Sequence, residues 1–163
     1  MEGLSTMKSE HRADAVDLAL LRVLIDNPRA ATVTVAEEAG VARNTVHARF
    51  KRWDDAGVLH RFDLRINPRA LGFALRAYVF TRVEQRLLAA VSQALYDVAE
   101  VTAVDGLSGD DDLIVHVVAR DADDLYRIAG QILDINGVER TRTSLVMREL
   151  VQPRVAQLLP AVE

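Results

Sequence analysis

Residues Thr32–Gly57 read TVTVAEEAGVARNTVHARFKRWDDAG. Two helical stretches meet here at a glycine. Val35–Ala39 reads as a short helix with Thr34 as its N-cap, a residue type whose side-chain oxygen accepts from an early backbone N–H. Gly40 permits a tight turn. A longer helix follows from about Arg43 to Ala56, with Val46, Phe50 and Trp53 at i, i+4 and i+7 on one buried face. Gly57 closes it as a C-cap. Ala36 stands four residues before Gly40 and Val46 six after it. A small residue is needed where two helices cross closely, and a branched one anchors the second helix. This spacing is the helix-turn-helix pattern. Upstream, Ala15–Asp26 is a helix with Leu18, Leu21, Leu24 and Ile25 at helical spacing. Asn27-Pro28 ends it, because proline disfavours helical geometry in the residue before it.

With Val46, Phe50 and Trp53 inward, Arg43, Asn44, His47 and Lys51 point largely outward. Between Arg43 and Arg52 the chain carries Arg43, Arg49, Lys51 and Arg52 and no acid, so it is locally +4 in a chain of net charge −4. His47 adds to that at lower pH. A basic stripe on an acidic chain presents one face to a polyanion. Arginine and asparagine make bidentate bonds to guanine and adenine edges, and the cations neutralise phosphates. The expected DNA interface is Thr34, Arg43, Asn44, Thr45, His47, Arg49, Lys51 and Arg52. A polar three-helix bundle would account for the charge, but not for charge, spacing and side-chain type together.

Downstream, Val58–Ile66 alternates Phe62, Leu64 and Ile66 against Arg61, Asp63 and Arg65, the pattern of an extended strand or wing. Pro68 and Gly72 then break the chain. The expected division is 1–66 (helix-turn-helix with its extended strand), 67–73 (hinge), 74–151 (second domain) and 152–163 (tail). In the second domain Ala74–Val83 is strand-like, Arg86–Val98 a helix, and Val101–Leu107 and Leu113–Arg120 strands around the turn Ser108–Asp111. Ala122–Ile135 is a helix that Gly137 ends, and Val138–Val151 a last strand. The order β-α-β-β-α-β is ferredoxin-like, so the chain is α+β. Leu113–Val118 is apolar on both faces of its strand. Helices cover only one face of such a sheet, and a second copy of the chain is the simplest cover for the other.

Length and composition agree with this division. The chain has 163 residues, 50% hydrophobic and 27% charged, which is the profile of a folded chain of one ordinary domain or two small ones. No apolar run approaches the roughly 18 residues of a membrane span, and the polar stretch Met1–Arg12 does not read as a secretory signal. There is no cysteine, so disulfides, thiol catalysis and cysteine-ligated metals are excluded; this fits a reducing cytoplasm. No P-loop, dinucleotide fingerprint or nucleophile–base set occurs, so no catalytic residue, cofactor or metal site is expected. The aspartates at 110–112 do not make a metal sensor with His116, because three consecutive carboxylates in a turn cannot converge on one ion.

Three segments, DLALLRVLIDNPRAATVTVAEEAGVARNTVHARFKRWDDAGVLHRFDLRINPRALG, SGDDDLIVHV and INGVERTRTSL, occur in an order and spacing that resemble the Lrp/AsnC (feast/famine) transcription regulators over about Asp17 to Val151. The resemblance implies a regulator that binds DNA through its N-terminal helices. It also implies dimers formed through the C-terminal sheets, assembling to tetramers or octamers, and an amino acid or similar effector held between C-terminal domains. By that resemblance Leu107, Ser108, Gly109, Asp110, Asp112, Thr141 and Thr143 are effector-site candidates. Loop N–H groups suit an α-carboxylate and a carboxylate such as Asp112 an α-ammonium. Two positions depart from the family pattern. Ala42 stands where serine often starts the recognition helix, and Asp111 where an aromatic is common. The extra carboxylate leads to the expectation of an effector with a cationic side chain, arginine or lysine. Alternatives on the same fold are a nucleoid-associated DNA organiser that needs no effector and a sirohaem-decarboxylase-like enzyme. The latter needs histidines around a tetrapyrrole, whereas His11, His47, His60 and His116 are scattered over different elements.

Overall fold

The structure, a computed structural model, describes residues 12–161. The polar N-terminal stretch, apart from Arg12, and His11 lie outside the described residues. The chain packs as two compact units. One runs up to Leu64 and takes in Gln152 onward, and the other is Arg65–Val151.

The first unit holds α1 (Ala15–Asp26), α2 (Thr32–Glu38) and α3 (Arg43–Ala56). Leu20, Val23, Val35, Ala36, Val46 and Trp53 form its core. The helical spacing of α1 is borne out, with Leu21 and Leu24 packed partly buried against this core. The buried side chains of the helix are Asp17, Leu20 and Val23, while Ile25 is exposed. Asp17 is fully buried, and it is charged, so no hydrophobic pattern marks it. It reads instead as half of a capping box. The Asp17 N–H donates to Asp14 Oδ1 at 3.0 Å, and the Asp14 N–H donates back to Asp17 Oδ2 at 3.1 Å. Asp17 Oδ1 also accepts from Trp53 Nε1 at 2.9 Å and from Arg49 at 3.1 Å.

Two further expectations are corrected in this unit. Helix α2 begins at Thr32 with Ala31 as an N-cap that makes no side-chain bond, so Thr34 lies inside the helix and caps nothing. Val58–Ile66 forms no strand or wing. Phe62–Arg65 winds into a 3-10 turn, and Phe62, Leu64 and Ile66 are exposed. Alternation needs a neighbouring strand to become a ladder, and the described residues of this unit contain none. Pro68–Leu71 is a second 3-10 turn, capped by the Asn67 side chain accepting from the Arg69 N–H at 3.0 Å.

The second unit is a four-stranded antiparallel sheet of order β2-β3-β1-β4, with β1 Leu75–Val83, β2 Val101–Gly106, β3 Leu113–Ala119 and β4 Val138–Leu145. Helices α4 (Leu88–Tyr96) and α5 (Ala122–Leu133) cover one face. Val79, Val83, Leu113, Val115 and Val117 meet Val91, Leu95, Ile128 and Ile132 there. This is the ferredoxin-like arrangement expected. Helix α4 is shorter than its apolar pattern, because Gln85–Leu87 is a 3-10 turn leading into it. The last strand ends at Leu145 and not Val151. Its partner β1 runs out at Leu75, and the final ladder-like bond joins the Val146 N–H to the Arg76 carbonyl at 2.8 Å. Gly137 sits at φ 98°, and a Cβ there would lie 2.9 Å from Leu87 Cβ.

The tail returns to the first unit. Ala156–Leu158 is a 3-10 turn, and the Arg22 guanidinium donates to the Pro160 carbonyl.

Burial pushes the Asp17 carboxyl up, yet the bonds from the Asp14 N–H and the Trp53 indole outweigh it and hold its pKa below the ordinary aspartate value. The carboxyl of Asp14 is likewise lowered, by the Asp17 N–H and then by Arg49. A lowered folded-state pKa contributes stability that is complete above the unfolded value and is lost as pH falls through the folded one. Fluorescence of Trp53, the single tryptophan, should therefore report opening of the first unit only as pH drops below about 3.8. Asp17→Ala orphans the indole N–H and should lower that unit's stability by about 3 kcal/mol, measured by urea unfolding.

Candidate nucleic-acid interface and effector region

Helix α3 is held from its inner side by Val46 and Trp53, both fully buried, with Phe50 stacked on Trp53 at a ring distance of 5.5 Å. Helix α2 crosses it at the buried Ala36, whose carbonyl accepts from the Val41 N–H at 3.0 Å. Gly40 turns the chain at φ 66°. What remains outward on α3 is Arg43, Asn44, His47, Ala48, Lys51 and Arg52, with Asp54 and Asp55 on its last turn. Thr45 is half-buried on the first turn of α3, and Thr34 half-buried within α2. Ala42 caps α3 without a side-chain bond, as its residue type dictates.

Arg49 does not belong to this surface. Its guanidinium pairs with Asp14 at 2.5 Å and Asp17 at 3.1 Å, and its side chain is 20% exposed. The bond to Asp14 raises its pKa. A helix has only about 3.6 residues per turn, so a basic run cannot all face outward. Arg49 falls one position from Phe50 and four from Trp53, on the flank that meets α1. The outward basic set is Arg43, Lys51 and Arg52, with His47.

The effector candidates divide between two sides of the second unit. The hairpin between β2 and β3 carries Ser108 and Asp110 exposed, and Gly109 at φ 143°. It is closed by the Leu107 N–H donating to the Asp112 carbonyl at 2.8 Å. The Asp112 carboxylate is already used. It accepts from the Val83 N–H and from Gln85 Nε2, both at 2.9 Å, and so ties the hairpin to the end of β1. Each of its oxygens keeps a further lone pair for another donor. Thr141 and Thr143 stand opposite Thr81 and Val79 in the β1–β4 register, on the side of the sheet that meets the helices. Thr81 links the two groups, since its carbonyl accepts from the Asp112 N–H at 3.0 Å.

The opposite sheet face carries side chains that no expected site included. Arg142 lies 4.2 Å over the Phe80 ring, and Arg140 and Arg142 both reach Asp111, at 3.5 and 3.1 Å. The alternation RTRTS in β4 contains this signal, because period 2 puts both arginines on one face. On the same face Tyr78 meets His116 edge-on at 5.1 Å, and His116 Nε2 lies 3.0 Å from Asp105. Ile114 and His116 remain half-buried and Val118 is buried. Among the described residues no cluster of three acidic or histidine side chains is arranged to hold a metal, and no helix is long and apolar enough to cross a membrane.

A buried-anchor helix-turn-helix with an outward basic face, followed by a ferredoxin-like sheet, defines a two-domain DNA-binding regulator. Residues 14–52 match the AsnC-type helix-turn-helix domain, and residues 76–156 match the Lrp/AsnC ligand binding domain. The HTH-type transcriptional regulator AldR of Mycolicibacterium smegmatis is 31% identical over 141 residues, covering 84% of this chain and 82% of AldR. Among solved structures, AsnC of Escherichia coli superposes with a TM-score of 0.78 at 23% identity, covering 90% of this chain and 99% of that one. A feast or famine regulatory protein of Mycobacterium tuberculosis, complexed with L-methionine, gives a TM-score of 0.78 at 26% identity with the same coverage. The chain belongs to the Lrp/AsnC family of transcriptional regulators.

The division of labour on α3 is testable by titrating each variant against a duplex of random sequence at several salt concentrations. Lys51→Ala should weaken binding and reduce the slope of log K against log salt by about 1, the signature of one lost phosphate contact. Arg49→Ala should leave that slope unchanged while lowering the unfolding midpoint of the first unit.

Proposed function

We propose that this regulator binds a two-fold symmetric DNA site as a homodimer and changes its DNA affinity or assembly when an amino acid binds the second domain. Support for the DNA part comes from one observation above all. Arg43, Asn44, His47, Lys51 and Arg52 are exposed on a single helix whose other side is locked by Trp53 and Asp17. A rigid helix with base-reading side chains near its N-terminus is the arrangement that major-groove recognition uses. Thr34 and Thr45, beside it, are suited to phosphate contacts.

The half-buried Tyr78, Phe80, Ile114 and His116 on the sheet face away from the helices support the dimer. An apolar sheet face is stabilised by a second sheet packed on it, and a closed two-fold pair is the simplest such cover. Larger assemblies, tetramers or octamers, would be built from that pair. The amino-acid class of effector rests on the matched ligand-binding domain and on the structural relatives held with L-methionine. The protein acts without catalysis, metal or resident cofactor, in the cytoplasm where DNA is reached.

Selection of bound duplexes from a random pool tests the DNA reading. A site with two half-sites about one helical turn apart is expected. At that site Arg43→Ala and Asn44→Ala should each cost about 1–3 kcal/mol, with little loss on random DNA. Equal losses on both duplexes would assign the two side chains to the backbone. Failure to enrich any sequence would favour a non-specific DNA organiser. A thermal-shift series with the 20 amino acids at fixed protein concentration tests the effector, since a ligand that binds only the folded state raises the midpoint.

A further inference from the structure

We propose that Ala48 is a base-reading position: its methyl group packs on the C5 methyl of a thymine in each half-site, beside the base read by Asn44. This rests on the DNA reading of α3 and adds what the middle of that helix recognises.

Helical geometry singles out the position. Successive residues of a helix turn by about 100°. Asn44, Ala48, Lys51 and Asp55 therefore form one ridge on the side of α3 opposite Val46 and Trp53. All four are exposed, while Val46 and Trp53 are fully buried. A helix held by its inner side meets a groove with the opposite ridge first. Charge then decides which part of the ridge goes in. Asp55, with Asp54 beside it, repels the phosphates, whereas Arg43, Lys51 and Arg52 attract them. The last turn is kept away from the duplex, and the helix enters by its first half, as recognition helices do. Asn44 and Ala48 are then the ridge residues that go deepest, and Lys51 follows at the level of the phosphates.

Ala48 differs from its neighbours in kind. Every other exposed residue of α3 is charged or can hydrogen-bond. Ala48 offers only a methyl group. In the major groove the apolar group that a standard base pair presents is the thymine C5 methyl. Against any other base edge, an alanine would take donors or acceptors out of water without replacing their bonds. Thr45 also carries a methyl, but it is half-buried and off this ridge.

Alanine is also short. A long side chain at 48 would hold the middle of the helix off the floor of the groove. Asn44, one turn earlier on the same ridge, would then lose the close approach that two bonds to an adenine edge require. Residue 48 thus serves the ridge twice, by what it touches and by what it lets its neighbour reach.

The test uses the full-length protein and the duplex enriched from the random pool. Each thymine is replaced in turn by deoxyuridine, which lacks only the C5 methyl. One thymine in each half-site should lose about fourfold in affinity on replacement, the worth of one methyl group taken out of water. Ala48→Gly should bind the thymine and deoxyuridine duplexes equally at that position. This ratio compares two duplexes on one protein, so any weakening of the helix by glycine cancels from it. The deoxyuridine scan on the unaltered protein needs no variant at all. Tolerance of deoxyuridine at every position overturns the inference and leaves the DNA reading standing. A thymine effect that Ala48→Gly retains in full also overturns it and assigns the contact to another residue. If no duplex is enriched, the site-specific reading and this inference fall together.

Discussion

A carboxylate taken out of water has to be matched by donors, or folding loses several kcal/mol. Asp17 meets that demand with the Asp14 N–H, the Trp53 indole and Arg49. Each partner sits at a different place in the DNA-binding unit, and together they set its geometry. The Asp14 bond starts α1. The indole bond fixes the rotation of α3 about its own axis, because Trp53 can reach Asp17 from one face only. Once that rotation is set, residues 43, 44, 47 and 51 are turned to the outside. A tryptophan packed by hydrophobic contact alone would be held as tightly but less directionally. The polar bond therefore serves orientation as well as stability, and orientation is what a recognition helix requires.

The same logic of matched charge recurs in the second unit with a different outcome. Asp112 is satisfied by the end of β1 and by Gln85, and it pins the hairpin in place. Asp111, one residue earlier, is satisfied by β4. The two neighbouring aspartates thus fasten the hairpin to the adjacent β1 and, beyond it, to β4. A hairpin anchored this way presents its remaining groups in a fixed place, which lowers the ordering cost that a ligand must meet.

Much of this was legible in the residues. Helix α3 could be placed from Val46, Phe50, Trp53 and Gly57, because apolar period and glycine stop coincide. The ferredoxin-like order could be read from strand and helix periods. What stayed hidden shares one physical cause: it depends on partners distant in sequence. Asp17 looks like a surface residue until Trp53, 36 positions on, is brought to it. Arg49 looks like part of a basic stripe until α1 lies beside it. Phe62, Leu64 and Ile66 alternate like a strand, but a ladder needs a neighbour that the described residues of that unit do not contain. Thr141 and Thr143 were singled out by resemblance, whereas the strand register places Arg140 and Arg142 on the side facing away from the helices.

The return of the tail to α1 closes a long loop. Arg22 and Pro160 are separated by 138 positions, so their contact joins two distant stretches of chain within the first unit. The hydrophobic core of that unit lies wholly within its first segment, so the helices can pack without the tail. Closing so long a loop in a flexible chain is entropically costly. The middle domain reduces that cost, because its first and last strands pair and Arg76 holds Glu149, bringing the two ends of the intervening chain together. Formation of that sheet therefore favours docking of the tail on α1.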